Sequence, residues 1–178
     1  MKSAIPTFSD IVVFDLDGHG VPLRQLWSDR TAVLLFVRHF GCLFCRQQVA
    51  EMRPYAERIR TVGAELTIIG HGSVEEARAF RQELALDVPL LTDPSRQAYR
   101  VLGLPRSRSS VFNLRSLRHS LAARRRGFRQ TRVAGDAFQQ GGLIIVATGG
   151  VEVYRFISRS AGEHPSPDVV MRALAGSR

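Results

Sequence analysis

Only two cysteines occur in the chain, and they stand three apart as Cys42 and Cys45 within RHFGCLFCRQQ (38 to 48). Two thiols at this spacing can exchange electrons with a substrate by closing a disulfide, share a metal ion with two further ligands, or pack as small apolar residues. The flanks favour the first. The apolar run TAVLLFV comes before and a helix-patterned segment follows, so Cys42 falls at a helix start. There, unpaired amides and the positive end of the helix dipole stabilise a thiolate. Thiols so placed ionise at about 3.5–7.5 in place of about 8.5, which makes them nucleophiles at neutral pH. Cys45 lies one turn on, within reach of a mixed disulfide or sulfenic acid formed at Cys42. Cys42 is therefore the expected attacking thiol and Cys45 the resolving one. Arg38 and Arg46 are expected to add positive charge that favours the thiolate and orients a substrate, and His39 is either a thiol partner or a loop residue. A zinc clip would need two more ligands. No second C-x-x-C exists, and His39, His71 and His164 are scattered along the chain, so no metal is expected. The dithiol chemistry requires no bound cofactor.

The elements that must hold this pair alternate along the sequence. IVVFD (11 to 15) and VPL (21 to 23) flank Gly18 and Gly20 and read as a hairpin. AVLLFVR (32 to 38) is a nearly unbroken apolar run, the pattern of a strand buried on both faces. Phe44, Val49, Met52, Ala56 and Ile59 then recur at helical spacing over about 43 to 61, with Pro54 inside, which must kink or divide the helix. ELTIIG (65 to 70) is a second buried strand, and Ser73 with Glu75 and Glu76 starts the next helix. VPLLTDP (88 to 94) predicts a short strand, SRQAYRVLG a helix stopped by Gly103, and LRSLRHSLAARRR (114 to 126) a helix with one apolar stripe and one arginine face. GGLIIVA (141 to 147) and VEVYRFI (151 to 157) are strands joined through Thr148, Gly149 and Gly150, and PDVVMRALA closes as a short helix. Parallel crossovers followed by an antiparallel hairpin imply an α/β fold with a mixed central sheet and helices on both faces. A strand, a C-x-x-C turn and a long kinked helix, followed by βα units and a hairpin, is the thioredoxin-like arrangement.

At 178 residues and 44% hydrophobic content, the chain is expected to form one domain over 1 to 178, with a basic helical insertion at about 105 to 135. Of its 25 basic residues only Lys2 is a lysine. From Arg96 to Gly135 there are 11 arginines and no Asp or Glu, so this stretch carries +11 of a net +9 and leaves the rest at −2. Such a field attracts anions: a carboxylate or phosphate substrate, nucleic acid or a membrane surface. Nucleic acid is disfavoured, because the stretch has no recognisable binding motif and no interleaved aromatics beyond Tyr99, Phe112 and Phe128. No segment reaches the roughly 18 consecutive apolar residues of a membrane span, and MKSAIPTFSDI lacks a signal peptide's apolar region. The cytoplasm is the expected compartment, and there a C-x-x-C points to redox or metal chemistry over a structural disulfide.

RHFGCLFCRQQ, GHGS (70 to 73), LLTDPSRQAYRVLGL (90 to 104) and GDAFQQGGLIIV (135 to 146), followed by Glu163-His164-Pro165, together resemble the second AhpC/TSA antioxidant family, the peroxiredoxin-like-2 group. The resemblance spans roughly residues 8 to 175 and implies a thioredoxin-like fold and a thiol oxidoreductase. It also implies recharging by thioredoxin or a glutathione-type donor, and it leaves room for a homodimer. Typical peroxiredoxins carry P-x-x-x-T-x-x-C. Aligned to them, Cys45 takes the peroxide-reacting place and Cys42 stands where they have Thr; by analogy with thioredoxins, Cys42 is the nucleophile. Gln140 occupies the place of an arginine those enzymes set before the equivalent strand, and Gly141-Gly142 that of the thioredoxin cis-proline. These two glycines are expected to let the backbone approach the active-site loop closely. Gly41, Phe44 and Gly141 near the sulfurs, with Arg115 and Arg118 in the basic stretch, are the expected substrate contacts.

Three functions fit this reading. The leading one is an oxidoreductase that reduces a peroxide, endoperoxide or disulfide through a Cys42–Cys45 cycle. The second is a redox sensor whose arginine-rich stretch engages an anionic partner when the pair is oxidised. The third is a pathway enzyme using a thiol for non-redox chemistry on an acidic metabolite, with Arg115, Arg118 or Arg124 holding its carboxylate.

Overall fold

The computed structural model describes residues 6–106 and 136–176. The predicted helix at 114 to 126, the arginines at 115, 118 and 124, and most of the basic insertion lie outside the described residues. A run buried on both faces belongs at the centre of a sheet, and β3 (Thr31–Phe36) is there. It pairs in parallel with β4 (Ala64–Gly70) and antiparallel with β6 (Gly142–Ala147). β5 (Leu90–Thr92) and the hairpin of β1 (Val12–Phe14) and β2 (Gly20–Pro22) extend one side, and β7 (Val151–Ile157) closes the other. The order is β2-β1-β5-β4-β3-β6-β7, a mixed seven-stranded sheet of the thioredoxin-like kind.

Alternating side chains feed a separate core on each face. Val33, Leu35 and Val37 join one cluster with Leu66, Ile68, Leu143 and Ile145. Ala32, Leu34 and Phe36 join the other with Ile69, Ile144 and Val146. Helices cover both. The first cluster is capped by α2 (Leu43–Met52), α3 (Ala56–Thr61), α4 (Val74–Leu84) and α6 (Pro167–Ala175). The second lies under α1 (Pro6–Ser9), α5 (Gln97–Val101) and a 3-10 turn at Leu23–Trp27. Each fully buried aliphatic side chain contributes about 1.5–3 kcal/mol, so the doubly covered central strands carry much of the stability.

Two local features decide where the cysteines sit. Pro54 divides the long helix, as its missing donor requires: α2 ends at Met52, a 3-10 turn spans Arg53–Tyr55, and α3 resumes. The buried face of α2 is Leu43, Cys45, Gln48, Val49 and Met52, with Phe44 only half-buried beside it. Ser73 caps α4 by a reciprocal capping box with Glu76, which fixes the 70–73 turn next to the sheet's carboxyl end.

Candidate active site

The site forms where β3 ends and α2 begins. Cys42 is the extended N-cap residue of α2 and its sulfur is buried, as is that of Cys45 one turn later. Both are free thiols. Arg38 addresses the two of them at once. Its backbone amide donates to Cys45 Sγ at 3.2 Å, and its guanidinium Nη1 lies 3.6 Å from Cys42 Sγ. The guanidinium is itself anchored: Nε donates to the Gln139 carbonyl at 3.2 Å and Nη2 to the Ala137 carbonyl at 2.7 Å. A long side chain held at two further points loses its freedom before any anion arrives, so its charge is already directed at the sulfur.

The consequence is an asymmetric pair. Burial pushes the Cys42 thiol up, but the Cys45 thiol donating to it, the Arg38 charge and the amides of Cys45 and Phe44 outweigh burial and bring it down to about 6. Cys45 goes the other way. Burial, its hydrogen bond to Cys42 and the Cys42 charge all raise it well above an ordinary thiol, against smaller opposing effects of Arg38 and the His39 amide. Near neutral pH one sulfur is a thiolate and the other a thiol.

The segment 136–141 builds the anchor. Asp136 accepts from both Arg96 and Arg106 and from the Phe138 amide. Its burial raises the carboxyl pKa, yet the Arg106 and Phe138 amide hydrogen bonds and then Arg96 win, and it falls to about 2. Gln139 Nε2 donates to the Leu104 carbonyl at 3.0 Å, and the Gln140 amide to the Pro105 carbonyl at 2.9 Å. A Cβ at Gly141 would collide with the Phe36 carbonyl, so only glycine lets this strand entry come so close to the end of β3. No cis peptide occurs among the described residues.

A polar floor supports the Arg38 turn. His71 donates from Nε2 to the Arg38 carbonyl. The Tyr99 hydroxyl lies 2.7 Å from the Val37 carbonyl and 2.9 Å from that of Ile69, and its ring meets His71 edge to face at 5.2 Å. In the T-D-P element, Asp93 accepts from the Ala98 amide at 2.8 Å and so fixes the start of α5, while Thr92 donates to the Gly72 carbonyl.

Other expected site residues are placed differently. Arg46 projects from α2 towards α4, pairs with Glu83 and lies over the Phe80 ring at 5.7 Å. Its helical position, one turn from Cys42, aims it along the α2–α4 seam, and the guanidinium within 3.6 Å of Cys42 Sγ is that of Arg38. His39 is buried, and its Nδ1 has no hydrogen-bond partner. Desolvation first, then the charges of Arg38 and His71, bring its imidazole down to about 3, so it is neutral. Its carbonyl accepts from the Cys42 amide at 3.1 Å, which makes it a backbone partner of the turn. Gly41 is buried in that turn. Phe44, Gly141, Cys45 and Arg38 line a small cavity completed by Gln48 and the 158–164 turn. Asp15, Asp17 and His19 bring ligand atoms within 4.8 Å of one another in the β1–β2 hairpin, outside this site, where Asp15 already accepts from the Asp17 and His19 amides.

Asp136 and the Gln139 carbonyl were not anticipated from sequence. The one signal for Asp136 was its place as the first acid after 11 arginines without one. A backbone carbonyl carries no signal in residue type.

Solved structures share this frame. The Xanthomonas campestris bacterioferritin comigratory protein superposes with a TM-score of 0.70 over 98% of this chain and 96% of its own, at 14% identity. A Mycobacterium tuberculosis disulfide oxidoreductase homologous to E. coli DsbE gives 0.62 over 96% and 98%, at 13%. Among sequences, the Arabidopsis thaliana "Thioredoxin-like protein AAED1, chloroplastic" is 28% identical over 97% of this chain and 73% of its own length. The Xenopus laevis "Prostamide/prostaglandin F synthase" is 32% identical over 89% and 81%. The Arabidopsis name states a plastid location, whereas the cytoplasm was expected here. Among the described residues, no helix is long and apolar enough to cross a membrane. The AhpC/TSA antioxidant enzyme model matches residues 51–160, a span that begins after both cysteines and takes in Asp93, Asp136 and the Gln139–Gly142 anchor. The matched span is more than half of the chain, and with it the chain belongs to the AhpC/TSA antioxidant enzyme family.

Proposed function

We propose that the chain is a thiol-dependent oxidoreductase in which Cys42 attacks and Cys45 resolves. The observation that carries this is the Arg38 guanidinium, fixed by two carbonyls at 3.6 Å from Cys42 Sγ. Gln140 stands where typical peroxiredoxins hold an arginine, and Arg38 supplies a cation from the end of β3 instead. With a peroxide, the Cys42 thiolate takes the distal oxygen, the O–O bond breaks, and an alcohol leaves with one proton. Cys45 then displaces hydroxide from the Cys42 sulfenic acid, releasing water and closing the disulfide. Two electrons pass from the thiols to the peroxide, and a donor dithiol such as thioredoxin, or two glutathione-type thiols, returns them.

Substrates considered are organic peroxides, endoperoxides and disulfides; the names of the Xenopus relatives put prostamide and prostaglandin substrates among those to be tried. The test is intact-mass measurement of reduced protein after hydrogen peroxide, a bulky organic peroxide and a small disulfide. A loss of two hydrogens with at least one of them is expected, and no reaction with any would sink the proposal. In a trapping experiment the mixed disulfide should accumulate on the Cys45→Ser protein. Accumulation only on Cys42→Ser would reverse the two roles.

A further inference from the structure

Cys45 must lose a proton to close the disulfide, yet its thiol is buried, its sulfur already accepts from the Arg38 amide, and its surroundings oppose ionisation. A proton acceptor within reach is required. The small cavity against Cys45 has about 10 Å³ of room, close to that of one water, and its lining includes Gln48, Ser158, Ser160 and the His164 imidazole. His164 is not loose. Its Nε2 lies 3.0 Å from Glu51 Oε2, and Glu51 Oε1 accepts from Gln47 at 2.8 Å. A carboxylate can only accept, so Nε2 carries the hydrogen, and in the neutral imidazole Nδ1 is then the acceptor. Cys45, Gln48 and Glu51 follow one another at spacings of three on α2, so Gln48 is the helix-surface neighbour of both the thiol and the carboxylate that holds His164.

Resting on the dithiol cycle above, we propose that His164, held by Glu51, takes the Cys45 proton across this cavity. The Cys45 S–H bond gives its proton to the imidazole through a single bridging water, and the freed sulfur bonds to Cys42. When the group leaving Cys42 is hydroxide, the imidazolium returns the proton and water departs; when it is a stable thiolate, the proton goes to solvent. Among the described residues, the charged and titratable groups that pair with this imidazole or share its cavity are Glu51 and Cys45 from α2, Arg38 from the end of β3, and Glu163 beside it. Glu163 is turned onto the Arg159 and Ser160 amides at 2.9 and 3.1 Å, which leaves Glu51 as the orienting carboxylate.

Dithiodipyridine separates the steps, because attack by Cys42 releases one coloured thiopyridone and resolution by Cys45 releases a second. In the native protein two phases are expected. His164→Gln should leave the first phase unchanged and slow the second by about a hundredfold, the usual scale for loss of a positioned base. It should also move that phase's pH profile to the alkaline range, where Cys45 ionises directly. Glu51→Gln should slow the same phase less. If His164→Gln does not fold, as judged by near-ultraviolet circular dichroism, Glu51→Gln decides alone. A native second phase in both variants, or a slowed one with an unchanged pH profile, would overturn the role of His164. Absence of the first phase from the native protein would overturn the dithiol cycle and this inference with it.

Discussion

Arg38→Met keeps the length of the side chain and removes its charge, and its effect on Cys42 can be worked from the geometry. A unit charge 3.6 Å from a thiolate at an effective dielectric of about 20 is worth roughly 4.6 kcal/mol, or somewhat over three pKa units. That is a ceiling, because the hydrogen bond from Cys45 outranks the Arg38 charge among the effects that lower Cys42, and the helix-start amides add to both. The Cys42 midpoint should therefore move from about 6 to roughly 7–8. Thiolate absorbance in the ultraviolet reads this directly and needs no reagent to enter a buried site. The attack rate at neutral pH is a poor substitute. A two-unit rise cuts the thiolate fraction about tenfold but raises the intrinsic reactivity of the sulfur by nearly the same factor, so the two almost cancel. Below pH 6 neither protein is largely ionised, and the variant's attack should fall behind the native rate by about threefold for a one-unit rise and about tenfold for a two-unit rise. Arg38→Lys, which keeps a charge but cannot hold both carbonyls, should titrate between the two. A midpoint still near 6 in Arg38→Met would refute the argument and leave the Cys45 thiol and the amides as the cause.

The remaining predictions concern the frame. His39 is buried as the neutral imidazole with its pKa lowered from 6.5 to about 3, and His71 is shifted in the same direction by burial. The unfolded chain therefore takes up these protons first, so stability is full above about pH 6.5 and falls as pH drops towards 3, by roughly 1.4 kcal/mol per pH unit for His39 alone. Urea midpoints across that window should show the slope, and His39→Leu should reduce it by one proton. Gly141→Ala places a methyl on the Phe36 carbonyl and should cost about 1–3 kcal/mol in urea unfolding, with the Cys42 midpoint rising as the Arg38 anchor shifts. Tyr99→Phe takes the shared hydroxyl from the Val37 and Ile69 carbonyls and should cost about 1–3 kcal/mol in the same assay, with the Cys42 midpoint unmoved.

Features written in short stretches of sequence were legible. The central strand, the division at Pro54, the Ser73 cap and the glycine-joined hairpins each follow from a few neighbouring residues, and each is found where expected. The position of Cys42 at a helix start followed from the junction of an apolar run with a helical pattern. Less visible was everything that depends on contact across the chain. Arg38 and Arg46 are equally close to Cys42 in sequence, yet the first is drawn to carbonyls 99 and 101 residues away while the second meets Glu83. Spacing along a helix says that a side chain is near, whereas its direction is set by the partner that meets it. Phe44 shows the same limit: its place in the apolar period was right, but Cys45 and Gln48 take the buried face beside it.

A sulfur ionised at about 6 also sets how readily the pair gives up its electrons. At pH 7 the Cys42 thiolate stabilises the reduced protein by roughly 1.4 kcal/mol relative to an ordinary thiol, and closing the disulfide forfeits that stabilisation. For a two-electron couple this is about 30 mV towards a more oxidising potential. The same guanidinium that prepares Cys42 for attack thus makes a Cys42–Cys45 disulfide easier to reopen by about that margin.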